Sequence, residues 1–88
     1  MAAETALSAD ARSILRTVAR HLTTVRPDDP LDDGHRRALL VTHVADRCGY
    51  RTTLADTVHA EVLAATPRIG PDGTTRGQYA QLLTAAAK

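Results

Sequence analysis

Apolar residues recur with a helical period in four stretches of the chain, separated by segments rich in proline, glycine and acidic residues. In the first stretch Ala11, Ile14, Leu15, Val18, Leu22 and Val25 form one stripe, with Arg12, Arg16 and Arg20 on the opposite face. Ser8 stands at the N-cap position, and Asp10 in the first turn favours the positive end of the helix. Pro27 closes the stretch, because the residue before a proline is pushed out of the α region. In the second stretch Leu40, Val41, Val44, Ala45 and Cys48 share a face, and Leu39 falls on the other side. Gly49 follows, where a left-handed residue closes a helix without a Cβ clash. Thr53 and Asp56 have capping-box spacing, and Leu54, Ala55, Val58 and Val62 make the third stripe, with Leu63 well off it. Thr75 and Gln78 repeat the capping spacing ahead of Tyr79, Leu82, Leu83 and Ala86. The pattern predicts an all-α fold, one helical domain over 1–88 with four short helices at 8–25, 32–48, 53–65 and 75–87, and residues 1–7 frayed.

Two connections stand out. Pro27 to Asp33 carries Asp28, Asp29, Asp32 and Asp33 with two prolines in seven residues and reads as a rigid acidic linker leading into the second helix. Residues 68–74 contain Gly70-Pro-Asp-Gly73, a strong turn signal that leaves either a plain loop or a short wing, with only Ile69 strand-like on its incoming side.

Composition sharpens the picture in three ways. Ten Leu, six Val, two Ile and sixteen Ala, without Phe or Trp, imply closely approaching helices and a thin core that a partner could complete. Leu, Ile, Val and Phe together stand near the ~20% level below which disorder becomes the expectation, but a net charge of +1 favours a folded chain. That near-zero charge also argues against a general nucleic-acid coat. One cysteine allows no internal disulfide, which fits a reducing cytoplasm, and no segment approaches the ~20 apolar residues of a membrane span.

Residues 44–58 resemble a helix-turn-helix. Ala45 and Gly49 have the spacing of its small residue and turn glycine, Val44 and Cys48 are apolar, Tyr50 follows the glycine, and Val58 fits the second helix. The slot usually filled by a β-branched residue holds Ala55. The resemblance implies a DNA-binding transcriptional regulator, with Arg47, Arg51, Thr52, Thr53 and Arg68 available to nucleic acid. Against it, the outward positions of the third helix, Asp56, Thr57, His59 and Glu61, carry a net charge of −2, a handicap for reading bases and phosphates. An ordinary pair of helices closed by glycine accounts for the same residues.

No pattern of catalytic or metal-binding residues emerges. Cys48 with His43 or His59 as base would make a nucleophile, but its place on the apolar stripe makes it a small core residue. His21, His35, His43 and His59 lack the short spacings of zinc ligands. An EF-hand calcium loop starting at Asp29 fails, because Leu31 and Leu40 occupy positions that need oxygen ligands. Gly70 to Gly73 lacks the Lys/Ser pair of a nucleotide-binding loop. The four-helix plan superficially suggests an acyl carrier, but Asp33-Gly34-His35 offers no hydroxyl for attachment.

The sequence therefore predicts a non-enzymatic interaction module acting through a protein partner or as a homo-oligomer, with no cofactor and no metal. Its expected contacts are Arg12, Arg16 and Arg20, the acidic Asp28, Asp29, Asp32 and Asp33, and the off-stripe Leu39 and Leu63. A DNA-binding regulator is the second expectation, and a small subunit of an enzyme complex the third.

Overall fold

The computed structural model describes residues 7–88. The expected fraying of residues 1–6 lies outside the described residues, whereas Leu7 is half-buried and packs on the core. Ser8 starts the first helix, α1 (Ala9–Thr24), its Oγ accepting from the Ala11 N–H at 3.1 Å. A residue from another helix fixes this end: the Glu61 carboxylate accepts from Ser8 N–H at 3.0 Å and from Ser8 Oγ at 2.8 Å. Helix α1 buries Ala11, Ile14, Leu15, Val18, Ala19 and Leu22, and stops at Thr24. Val25 thereby leaves its expected place on the stripe and becomes exposed in extended backbone. Arg26 follows with φ +47°, in the left-handed region.

Helix α2 (Asp33–Cys48) is capped by Asp32, whose side chain accepts from His35 N–H at 2.7 Å, and it ends at Gly49, where φ is +90°. Helix α3 (Thr53–Ala65) is capped by Thr52, one residue before the expected Thr53. Thr52 Oγ1 accepts from Ala55 N–H at 2.9 Å and donates to Cys48 O at 3.0 Å, so one hydroxyl joins the end of α2 to the start of α3. Helix α4 (Arg76–Ala86) opens with the full capping box: Thr75 Oγ1 accepts from Gln78 N–H and Gln78 Oε1 accepts from Thr75 N–H, both at 3.1 Å. Thr75→Ala removes one limb of that box, and a loss of about 1 kcal/mol is the expected result in denaturant unfolding.

The four helices match the all-α expectation, and one small element adds to it. Strand β1 (Pro30–Leu31), between α1 and α2, pairs antiparallel with β2 (Thr74–Thr75), between α3 and α4. The loop at 68–74 is therefore no wing folded on itself; its far end pairs with a segment more than forty residues earlier. Each half of the chain is a helix–loop–helix, and the two loops meet. Helix α1 packs most extensively on α4, and α2 on α3. Leu31, in the middle of the acidic linker, is fully buried beside this joint.

Two buried arginines hold the joint. Arg76 Nε donates to Val25 O at 2.9 Å, covering a carbonyl at the end of α1. The backbone N–H groups of Arg76 and Gly77, which lack partners within α4, donate to Asp29 O at 2.9 Å and Pro27 O at 2.8 Å. The approach is close enough that a Cβ at Gly77 would lie 3.3 Å from both Pro27 Cβ and Pro27 O. In the other half, Arg36 donates from Nε to Asp33 Oδ1 and from a terminal nitrogen to Thr66 Oγ1, both at 2.8 Å, tying the start of α2 to the end of α3. Tyr79, the largest fully buried side chain, donates its hydroxyl to Pro67 O.

The inner face of α2 differs from the predicted stripe. Its buried positions are Arg36, Leu40 and Val44, an i+4 run. Val41 is 46% exposed, and on α3 Leu54 is 49% exposed. Leu39 lies with Val18 and Leu22 of α1 around a small void, half-buried, and Leu63 also packs on the core.

Candidate interaction surface between the second and third helices

The turn at Gly49 to Thr52 projects side chains outward where α2 meets α3. Gly49 N–H closes α2 on Ala45 O at 2.9 Å, Arg51 takes φ +57°, and Thr52 begins the next cap. Between these constraints Tyr50 stands 77% exposed, the most exposed large apolar side chain among the described residues. Beside it runs a groove of about 200 Å³ whose floor includes Val44, Ala45, Gly49 and Ala55. Val41 lines one wall, with Asp56, His59 and Arg51 on the rim. The cleft is smaller than the roughly 300–1,000 Å³ of small-molecule sites. Small residues at 45, 49 and 55 open the groove, because nothing larger fills the space between the two helices. Leu54, at the start of α3, adds a further exposed apolar side chain.

The predicted contact residues are distributed differently. Arg16 donates to Ala87 O at 3.4 Å and, with Arg20, lines the cleft between α1 and α4, while Arg12 is half-buried. Of the acidic linker, Asp32 caps α2, Asp33 is held by Ile69 N–H and Arg36, and Asp29 lies 3.5 Å from Arg26 in an exposed pair. Asp28 is exposed. Leu39 and Leu63 do not form the surface patch expected of them, because the core takes up both; the exposed large apolar residues are Val25, Val41, Tyr50, Leu54 and Leu82. Among the DNA-facing candidates, Arg47 is paired with Asp10 at 2.8 Å and Thr52 is consumed as a cap. Thr53 is exposed at the start of α3. Arg51 precedes α3 and Arg68 follows it, so the thirteen-residue helix separates them by about 20 Å at 1.5 Å per residue. Glu61 and Asp56 lie on the intervening helix. These cations form no common face along α3.

Cys48 is half-buried, and the nearest defined partner of His43 is Leu39 O, 2.8 Å from Nδ1. No group of three or more metal-ligating side chains exists among the described residues. The second helix–loop–helix also fails as a calcium loop. With Gly73 as its turn glycine, the first, third and last ligand positions hold Arg68, Gly70 and Tyr79. No helix among the described residues is long and apolar enough to cross a membrane. Titration follows the same contacts. The Ile69 N–H, outweighing partial burial, and the Arg36 guanidinium hold Asp33 below the usual carboxylate range. Burial pushes the Tyr79 hydroxyl up, and burial together with Arg76, His43 and His35 pushes His21 down.

Sequence reasoning passed over the exposure of Tyr50 and placed Val41 and Leu54 inside. The one available signal was an aromatic residue set in a polar turn, Gly49-Tyr-Arg-Thr. Comparison with family models, characterised proteins and solved structures finds no match to this chain.

Proposed function

We propose that the chain is a self-associating helical interaction module that uses the α2–α3 surface. The observation that carries this reading is the pairing, on one face, of a projecting Tyr50 with an adjoining groove floored by small residues. A surface that bears both a knob and a hole is complementary to a second copy of itself across a two-fold axis, where each contact occurs twice. Charge follows the same logic. Arg51 and Asp56 sit on the same rim, and neither belongs to the ion pairs formed among the described residues, which join Arg26 to Asp29, Arg36 to Asp33 and Arg47 to Asp10. Across a two-fold axis the arginine of one copy faces the aspartate of the other. Buried aromatic anchors supply much of the energy of such contacts, and rim charges mainly set orientation and encounter rate.

Sedimentation over a range of concentrations tests the proposal. The wild type is expected to form a dimer, and Tyr50→Ala to shift it to monomer with an unchanged melting curve, because an exposed side chain contributes little to the fold. Arg51→Glu weakens the dimer, and adding Asp56→Arg restores it. A wild type that stays monomeric at every concentration rejects the reading, as does a dimer that survives both Tyr50→Ala and Arg51→Glu.

A further inference from the structure

On the opposite side of α2 from this surface, His43 faces His21 of α1, with ring centres 6.1 Å apart and planes inclined by 52°. We infer that these two imidazoles form a binding site for a divalent transition-metal ion, completed by water, that bridges α1 and α2.

The first support is distance. A zinc–nitrogen bond of about 2.05 Å, plus about 1.1 Å from nitrogen to ring centre, limits two imidazoles on one ion to a centre separation of about 6.3 Å, and to about 5 Å at the tetrahedral angle. The observed 6.1 Å lies inside the upper limit, and closing to the tetrahedral value takes a rotation of the exposed His21 side chain. The second support is the tautomer. His43 Nδ1 lies 2.8 Å from Leu39 O, and a carbonyl only accepts, so Nδ1 carries the proton and Nε2 the lone pair. A ring nitrogen bonded to a backbone carbonyl is the arrangement that orients and strengthens a histidine ligand. The His21 side chain is exposed, which leaves the ion open to coordinated water. With imidazole as the only protein donor type, the site selects ions of the zinc, nickel and copper class over magnesium or calcium.

The test is a titration of the full chain with zinc ions alone at pH 7.5, followed by the imidazole NMR signals. His21 and His43 resonances are expected to move together along one saturable curve while those of His59 stay in place. His21→Asn and His43→Asn should each weaken binding at least tenfold, and His35→Asn should leave it intact. Zinc should also raise the melting temperature of the wild type and not of His43→Asn, because binding the folded state alone stabilises it. Signals that do not shift together, or a His43→Asn chain that binds zinc as tightly as the wild type, overturn the inference. An equal loss in His35→Asn overturns it too, since the ion would then sit elsewhere on α2. The Tyr50 variants leave this site untouched, so its outcome is independent of the self-association test.

Discussion

Val44→Asp abolishes the cooperative fold. Val44 is 2% exposed on the inner face of α2, within the continuous apolar core. An aspartate there either keeps its charge without a partner or binds a proton. Taking up the proton at pH 7 against an ordinary carboxyl pKa of about 3.9 costs about 4 kcal/mol at 1.36 kcal/mol per unit. Loss of the buried isopropyl group adds about 1.5 kcal/mol or more. The sum, somewhat above 5 kcal/mol, is set against a total of roughly 4–13 kcal/mol at 0.05–0.15 kcal/mol per residue. Far-ultraviolet circular dichroism should show a non-cooperative melt or an unfolded chain. Val44→Ala is the control: it leaves a small cavity without a charge, and it should stay folded with a loss of about 1–3 kcal/mol. A Val44→Asp chain that melts cooperatively near the wild-type temperature would show that this face of α2 reaches water.

Arg36→Ala comes second, at about 2–3 kcal/mol. The guanidinium is 5% exposed and bonds to both Asp33 and Thr66, so its loss opens a cavity and strips the Asp33 carboxylate of its cation. Removing one member of a fully buried pair costs about 3–5 kcal/mol, but the Asp33 side chain keeps 24% of its surface, so water recovers part of the loss. Asp33 also retains the Ile69 N–H. At roughly 4–8 °C per kcal/mol for a domain of this size, the melting temperature should fall by about 10–20 °C. Arg36→Lys should recover only a fraction, because an ammonium group restores the charge but not the two-directional fork that spans Asp33 and Thr66. A melting temperature within about 3 °C of wild type would mean that the arginine behaves as a solvated surface group.

Local sequence carried the four helices and most of their ends. Helical period, Ser8 and the Thr75–Gln78 pair act within a few residues of themselves, and each forms as its spacing predicts. The third cap shows the limit of such rules: Thr52 and Thr53 are adjacent hydroxyls, and what separates them is that Thr52 also reaches Cys48 O. Periodicity likewise locates a stripe but not its width. Val41 sits one position from Leu40, and only the packing of the other helices on α2 decides that Leu40 is covered and Val41 is not.

What the sequence by itself determined is the four helices, most of their ends and the apolar stripe of each, because these depend on contacts within one or two helical turns. The tertiary structure alone decided which charges go inside and which apolar residues stay out. Nothing in the local sequence marks Arg36 and Arg76 for burial, since arginine is seldom buried without a partner. Their partners, Thr66 and Val25, lie 30 and 51 residues away. Leu31 reads as part of an acidic linker, and it enters the core because β1 pairs with a strand on the far side of two helices. The Tyr50 groove and the His21–His43 pair arise in the same manner. Each needs two helices brought side by side, and that arrangement comes from the summed packing of the core, not from the residues that line the site.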